Sequence, residues 1–116
     1  MHITEKIVKK VAILTLSGHM MGGPNNIQLH DKVKSLLGDG IRNIVIDLKK
    51  VKWMNSSGLG TLMAAWGSVM REGGNIKLAN VTEKVHSLLI MTQIITFFET
   101  YDSVDRAVAS YSSEIR

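Results

Sequence analysis

The sequence contains no cysteine and no long apolar run. Without cysteine the chain cannot form disulfides or thiolate metal sites, and this composition fits a reducing compartment. No apolar run reaches the roughly 18 residues that are needed to span a bilayer. The first six residues also lack the apolar core of a signal peptide. We therefore expect a cytoplasmic protein without a membrane span.

Aromatic residues are scarce, because Phe, Tyr and Trp occur only twice each. Such a chain has little material for a platform on which nucleic-acid bases could stack. The net charge is nevertheless +4, which can indicate a polyanionic partner. The lysines cluster in short connections between apolar runs, where solvated lysines are expected in any protein: Lys6, Lys9 and Lys10, and Lys49, Lys50 and Lys52. The composition as a whole therefore argues against nucleic acid as the partner.

The sequence also lacks the motifs of nucleotide, dinucleotide and zinc chemistry. It has no Walker loop, no G-x-G-x-x-G and no H-E-x-x-H, and its four histidines show no metal-ligand spacing. A serine nucleophile needs a base and a group that orients the base. His19 is the histidine that could lie near Ser56, which alone is weak support for a hydrolase. We expect no enzyme activity, no bound metal and no cofactor.

The length of 116 residues suits one domain with a modest core, and we treat residues 1–116 as a single domain. Apolar residues make up 45% of the chain and charged residues 21%, as in globular rather than disordered proteins. The apolar runs and turn residues follow the order β-β-α-β-α-β-α-β-α. This order predicts an α/β fold, with a mixed sheet of four to five strands and about four helices.

The N-terminal third is predicted to be a hairpin, a loop and a helix. Residues 3–8 and 11–16 are rich in Val, Ile and Thr and predict two strands. Three glycines and the single proline predict a loop over residues 17–24. Its Met20 and Met21 either plug the end of the core or offer an adaptable contact surface. We expect Asn25 or Asn26 to cap the helix that follows.

The rest of the chain alternates between predicted strands and helices. Residues 42–48 predict a central strand, in which Asp47 acts as a turn or capping group, and residues 76–79 predict a short one. Thr82 opens one helix, and Asp102 or Ser103 opens the last. Residues 94–98 are ambiguous, with both phenylalanines expected in the core of a short strand. The inward residues of these helices are predicted to be Ile27, Leu29, Val33, Leu36 and Leu37; Val85, Leu88, Leu89 and Met91; and Val104, Ala107, Val108 and Tyr111.

The segment N-S-S-G-L-G at residues 55–60 joins the central strand to the second helix. Asn, Ser and Gly favour the conformations that precede a helix. The first N–H groups of a helix lack partners within it, and the helix dipole favours negative charge at that end. Ser56 could therefore carry a phosphoryl group. Alternatively Ser56 or Ser57 only caps the helix, which is the commoner use of such residues.

The second helix combines an apolar stripe with a face of small residues. The stripe consists of Leu59, Leu62, Met63, Trp66, Val69 and Met70. Gly60, Ala64 and Gly67 lie largely off the stripe. Small side chains allow another backbone to approach closely, and that backbone belongs either to a partner or to a neighbouring element of this chain.

Three segments of the chain resemble the STAS family, in particular the bacterial anti-sigma-factor antagonists. They are L-T-L-S-G at residues 14–18, I-V-I-D-L-K-K-V-K-W-M-N-S-S-G-L-G at residues 44–60, and G-G-N-I-K-L-A-N-V at residues 73–81. The resemblance extends over nearly the whole chain, and it implies a single STAS-like domain.

This resemblance implies a substrate and binding partner rather than a catalyst. In the family, a serine/threonine kinase that is itself an anti-sigma factor phosphorylates the serine at the position of Ser56, and a PP2C-type phosphatase removes the phosphate. The unmodified antagonist binds the kinase and thereby releases a sigma factor. The expected partner-binding residues are Met20, Met21, Asn55, Ser56, Ser57, Gly58, Gly60, Ala64 and Gly67.

Two departures from the family pattern change the charge near Ser56. The family usually has Asp where this chain has Asn55, and an acidic residue where it has His19, Met20 and Met21. Losing these acids makes a phosphate easier to hold, but it also removes groups that a kinase could need. The alternative is a STAS scaffold without phosphorylation, in a signalling or lipid-transport complex. Either function is compatible with a homodimer.

Overall fold

A computed structural model describes residues 1–114 of the chain, with side chains to residue 112, so the last two residues of the expected domain lie outside it. The elements are β1 (His2–Val8), β2 (Val11–Met20), α1 (Pro24–Gly38), β3 (Asn43–Met54), α2 (Ser56–Arg71), β4 (Asn75–Ala79), α3 (Glu83–Met91), a 3-10 turn (Ile94–Phe97), β5 (Thr100–Tyr101) and α4 (Val104–Glu114). This is the predicted order of strands and helices.

The strands form one sheet in the order β1-β2-β3-β4-β5. β1 and β2 pair antiparallel as a hairpin, whereas β2, β3, β4 and β5 pair in parallel. β3 is therefore the central strand, as its unbroken Ile-Val-Ile run predicts. The predicted α/β class and mixed sheet are confirmed.

The core lies on both faces of the sheet because inward residues alternate along each central strand. In β2, Leu14 and Leu16 belong to the larger cluster, which α1, α2 and α3 cover. Ile13 belongs to a smaller cluster on the other face, where Ala107 and Tyr111 of α4 pack. The helix that begins at Ser56 and the C-terminal helix therefore lie on opposite sides of the sheet.

The predicted loop at residues 17–24 is shorter than expected, because β2 continues to Met20. β3 also runs past its predicted end at Leu48 to Met54, where it pairs with the end of β2. The register shifts between Thr15 and Ser17 and between Gly18 and His19, and Gly18 has a φ of 98°. These irregularities allow residues with a loop-like composition to remain in the strand with their backbone groups paired.

The start of α1 also differs from the prediction. Gly23, with a φ of 58°, occupies the N-cap position and Pro24 begins the helix, so neither Asn25 nor Asn26 caps it. The Asn25 amide instead donates to the carbonyl oxygen of His19 at 3.1 Å, which ties the loop to the end of β2. The prediction that Ile27 is inward is wrong: it is 64% exposed, and the buried side of α1 is made by Leu29, Val33 and Leu36.

The buried side of α2 is rotated from the predicted stripe. Its buried residues are Gly58, Leu59, Thr61, Leu62, Ala65 and Val69. Met63 and Trp66 are only partly buried, and Met70 is exposed. The small residues on the buried side allow close packing, as Gly58 shows against Met20 and Met54, whereas the Trp66 ring packs on the Phe97 ring, with 5.1 Å between centroids.

The C-terminal third follows the prediction except around residues 91–101. Thr82 caps α3 and Ser103 caps the first turn of α4, as expected. Residues 94–97 form a 3-10 turn rather than a strand, and the last strand is β5. Phe98 is buried as predicted, but Phe97 and Met91 are exposed. Met91 is the last residue of α3, and the chain turns at Gln93, whose φ is 63°, before Phe97 closes the 3-10 turn.

Candidate functional site

The site is the junction between β3 and α2, where Asn55 caps the helix. Its backbone is extended, and its side-chain oxygen accepts a hydrogen bond from the N–H of Gly58 at 2.8 Å. The N–H of Asn55 donates to the carbonyl oxygen of Met20 at 3.2 Å, and its own carbonyl accepts from Leu59 at 2.9 Å. Asn55 thus joins the ends of β2 and β3 to the first turn of α2.

Because Asn55 caps α2, neither serine has that role. Ser56 is the first residue of the helix and is exposed, and its hydroxyl has no hydrogen-bond partner in the part of the chain that the structure describes. Ser57 is more constrained, since a Cβ placed on Gly22 would come within 2.5 Å of the Ser57 Cβ. The Ser57 carbonyl also accepts from the Thr61 hydroxyl at 3.1 Å. The structure therefore distinguishes two serines that are equivalent in the sequence.

Gly58 is the buried contact of this turn. A Cβ on Gly58 would overlap the carbonyl oxygen of Met20 and would come within 3.0 Å of the Met54 Cγ. Only glycine allows the first turn of α2 to lie this close to the end of β2. Gly58 therefore shapes the site from beneath, and its own surface is not open to a partner.

The two methionines of the expected contact surface separate in the structure. Met20 is fully buried, whereas Met21 is 46% exposed. Met20 therefore plugs the end of the core. Because its side chain is buried and cannot reach a partner, the prediction that Met20 binds a partner through its side chain is wrong. Met21 stays on the surface, next to Gly22 and hence close to Ser57.

The outward face of α2 is smooth and uncharged. Gly60 and Ala64 are exposed, and Gly67 is half-buried. A Cβ on Gly60 would meet nothing within 4 Å, so no element of the described chain uses the space above it. No charged residue occurs between Ser56 and Met70. Of the two sequence alternatives for this face, the structure favours the one that leaves it open to a partner.

Sequence reasoning missed an exposed tryptophan beside this junction. Trp53 is 40% exposed, and the Lys84 ammonium lies 5.4 Å from its ring centroid. The two residues line an open depression of about 550 Å³ between β3 and α3. A tryptophan among lysines just after the predicted end of the central strand was the available signal.

The structure brings no catalytic or metal-binding group to the junction. His19 is exposed, and no hydrogen bond links its ring to Ser56 within residues 1–112. Asp47 accepts from the Lys49 N–H at 3.0 Å and from the Asn80 amide at 3.1 Å, which fits the turn role expected for it. Over the described residues, no His, Asp and Glu side chains gather in a way that could hold a metal ion.

Comparison with known proteins identifies the family. Residues 2–107 match the model of the STAS domain. The chain belongs to the STAS domain family. This STAS domain is 29% identical, over 98 residues that make up 80% of each protein, to the anti-sigma F factor antagonist of Paenibacillus polymyxa.

Solved structures share the fold of this STAS domain. A candidate anti-sigma factor antagonist from Thermotoga maritima gives a TM-score of 0.83 at 26% identity, with 93% of this chain and 92% of that chain covered. The unphosphorylated anti-sigma factor antagonist SpoIIAA gives a TM-score of 0.73 at 16% identity over 98% of this chain and 100% of that chain. At such low identity the second likeness concerns the fold alone. No helix within residues 1–114 is long and apolar enough to cross a membrane.

Proposed function

We propose that this STAS domain is an anti-sigma factor antagonist that is switched by phosphorylation of Ser56. In its unmodified form it binds an anti-sigma factor serine kinase and thereby frees a sigma factor. The observation that carries the proposal is the exposed Ser56 hydroxyl at the start of α2, unengaged by the cap, in a chain that has antagonists among its relatives. The chain acts as a substrate and binding partner rather than as an enzyme.

Ser56 is a better acceptor than Ser57 for geometric reasons. A kinase must reach the hydroxyl oxygen and bring a phosphate donor into line with it. Both serines are exposed, but the Cβ of Ser57 lies against Gly22, where an added Cβ would come within 2.5 Å of it, whereas nothing comparable flanks Ser56 in the described residues. The loop that precedes α1 therefore narrows the approach to Ser57 from one side.

The start of α2 can hold a phosphate without loss of the fold. The first intrahelical bond runs from Leu59 to Asn55, so the N–H groups of Ser56 and Ser57 precede the helical ladder. Unpartnered N–H groups and the helix dipole both favour negative charge at this position. A phosphoserine brings about −1.5 to −2 charges at pH 7, and these charges lie at the end of the helix that tolerates them.

The same charge opposes a protein interface. The open face formed by Ser56, Gly60 and Ala64 presents no charge of its own, so a partner can lie flat on it. A phosphate there must lose water and can meet like charge, which costs several kcal/mol. Because about 1.4 kcal/mol is tenfold in affinity, even part of this penalty separates a micromolar complex.

The test is to map phosphate after incubation with the cognate kinase and ATP. Mass spectrometry should place one phosphate on Ser56 of the wild-type chain and none on the Ser56→Ala variant. Ser57→Ala is the matched control, and it should still accept phosphate at Ser56. Phosphate on Ser57, or none on either serine while the kinase binds, would contradict the assignment.

Two further partners follow from the same proposal. A PP2C-type phosphatase would return the chain to its binding form, because the phosphoserine is exposed to a second enzyme as well as to the kinase. A homodimer stays a prediction that sedimentation or light scattering can check. Neither is needed for the switch at Ser56.

A second candidate function is a STAS scaffold that is never phosphorylated. Asn55 favours it, because Asn caps α2 as well as Asp would but removes the acid that the family usually places beside the serine. The scaffold would serve a signalling or lipid-transport complex through the same open face of α2. It predicts that the Ser56→Ala and Ser56→Asp variants bind their partner with similar affinities.

A further inference from the structure

The surface beside Ser56 is rich in lysines that form no ion pair within the described residues. Lys49, Lys50 and Lys52 lie on the exposed end of β3, and with His19 they line an open depression of about 840 Å³. Lys84 stands on α3 over Trp53. None of these four lysines belongs to an ion pair with another residue of the described chain. Lys32, Arg42 and Arg106, in contrast, pair with carboxylates.

Few acids lie in the same region. Glu83 lines the depression at Trp53 together with Lys84. Asp47 accepts from the Lys49 N–H and the Asn80 amide and keeps its negative charge. Asp102 lines a depression with Lys49 but pairs with Arg106. The four lysines therefore outnumber the carboxylates of Glu83 and Asp47, so this end of the molecule carries excess positive charge, and Trp53 is an exposed aromatic group there.

This basic surface lies within reach of any partner that covers Ser56. Trp53 precedes Ser56 by three residues, which span at most about 11 Å of extended chain. A standard interface buries roughly 800 Å² on each partner, which corresponds to a disc of about 16 Å radius. Trp53 and Lys52 therefore fall within the radius of a partner centred on Ser56. Lys50 and Lys49, six and seven residues back along the chain, lie at or beyond its edge and act through long-range attraction.

We propose that Lys49, Lys50 and Lys52 at the end of β3, together with Lys84 beside Trp53, attract and bind an acidic surface of the anti-sigma kinase. The proposal rests on the function proposed above and specifies the charge of the partner. The lysines steer the encounter, since complementary charge accelerates association by about 10- to 1,000-fold. Trp53 is the residue type that most often anchors an interface once the encounter has formed.

The basic surface also explains how a phosphate at Ser56 weakens partner binding without touching the partner. A phosphoserine subtracts about two charges from a region that owes its positive potential to four lysines. It weakens the attraction for an acidic partner, and that partner's carboxylates repel it directly. Phosphorylation and reversal of two lysine charges should therefore slow association in the same way.

The experiment measures association and dissociation rates of the purified cognate kinase at about 50 mM and about 500 mM salt. The Lys50→Glu/Lys52→Glu variant should associate roughly tenfold more slowly at low salt. The difference should shrink to within about twofold at high salt, because screening shortens the range of the charges. Trp53→Ala should instead raise the dissociation rate about tenfold, with little change in association.

The matched control is Lys9→Glu/Lys10→Glu, which makes the same charge change at the β1–β2 turn. This turn lies at the other end of β2, whose ten residues separate it by roughly 30 Å from the junction. That distance is about twice the Debye length of roughly 14 Å at 50 mM salt and several times the length at 500 mM. The control should associate at the wild-type rate.

The outcomes separate this proposal from the proposed function. If no kinase binds the unmodified chain, the proposed function fails. If the kinase binds and responds to Ser56 phosphorylation, but both lysine variants associate alike, the acidic-partner proposal is overturned. Vesicles with an anionic phospholipid and a DNA duplex are run in parallel. A third result is that the vesicles or the DNA bind the wild-type chain and lose binding only in the Lys50→Glu/Lys52→Glu variant, while kinase association is unchanged. That result assigns the lysines to the other ligand and also overturns the acidic-partner proposal.

Discussion

At the scale of single residues, Asn55 holds the start of α2 while leaving the adjacent serine free. Its side-chain oxygen accepts from Gly58, and its backbone bonds reach Met20 and Leu59. An Asp at this position would form the same cap and would add a negative charge beside Ser56. Asn55 therefore separates the structural role of the position from its electrostatic role.

The first prediction uses this separation. Asn55→Ala should lower the free energy of unfolding by about 1 kcal/mol, because the cap is lost. Asn55→Asp should keep the cap and gain roughly 0.3–1 kcal/mol from the helix dipole. Urea unfolding at neutral pH measures both. An Asn55→Ala variant as stable as wild type would show that the cap seen here does not hold α2.

Gly58 and Gly60 give a matched pair on the same helix, and the second prediction compares them. A methyl group at Gly58 would overlap the carbonyl oxygen of Met20, whereas one at Gly60 meets open space. Gly58→Ala should therefore lower the free energy of unfolding by about 1–3 kcal/mol. Gly60→Ala should raise it by roughly 0.5–1 kcal/mol, since Ala favours the helix. Thermal or urea unfolding that ranks them in the reverse order would contradict the packing of this turn.

At the scale of elements, α4 secures the sheet face opposite α2. The buried Tyr111 hydroxyl lies 2.7 Å from the carbonyl oxygen of Ile44 and 2.9 Å from that of Asn75, at the starts of β3 and β4. The Lys77 ammonium is buried beneath the same helix, 4.2 Å from the Tyr111 ring centroid and 2.8 Å from the Ser110 hydroxyl. α4 therefore stabilises the sheet from the face opposite α2 and Ser56.

The third prediction tests this division between the two faces. Tyr111→Phe should lower the free energy of unfolding by about 1–3 kcal/mol, because buried carbonyl groups lose a donor. Kinase affinity of the folded variant should not change. Tyr101→Phe is the control, since its hydroxyl bonds only the exposed Glu99 carboxylate, and it should change stability by less than about 1 kcal/mol. A loss of kinase affinity in folded Tyr111→Phe would place α4 in the binding surface.

The same elements show which features the sequence could predict. Periodicity predicts α2, α3 and α4 and the central strand, because their inward residues recur at regular spacing. It does not predict that β2 reaches Met20, since the backbone partner of Gly18 and His19 is a distant part of β3. Burial of Lys77 within β4 is equally invisible, because it depends on α4 folding over it. In both cases the structure depends on contacts between residues that are far apart in the sequence.

The site was predictable in part, for a similar reason. The N-S-S-G-L-G segment predicts the start of a helix and two candidate serines. The distinction between them depends on Gly22, which precedes Ser57 by 35 positions and contacts it only in the folded chain. The exposure of Trp53 likewise depends on where β3 ends. Local chemistry predicted the position of the site, and tertiary packing determined which groups are available there.

At the scale of the whole molecule, the proposed switch requires a fold that does not respond to a phosphate. The core lies on both faces of the sheet and leaves Ser56 outside it. A phosphate on Ser56 would therefore add charge at the end of a helix without displacing a packed side chain. We therefore expect phosphorylation to change which partner the molecule binds and to leave its shape unchanged.

The most direct measurement is the dissociation constant for the cognate kinase, taken for the unmodified and the Ser56-phosphorylated chain, together with the unfolding temperature of each. The phosphorylated chain should bind at least about tenfold more weakly, which is about 1.4 kcal/mol. Its unfolding temperature should lie within roughly 4 °C of that of the unmodified chain, since a larger shift would signal a loss of about 1 kcal/mol or more of stability. Equal affinities, or weaker binding that accompanies a large fall in unfolding temperature, would contradict a switch that changes the partner and preserves the fold.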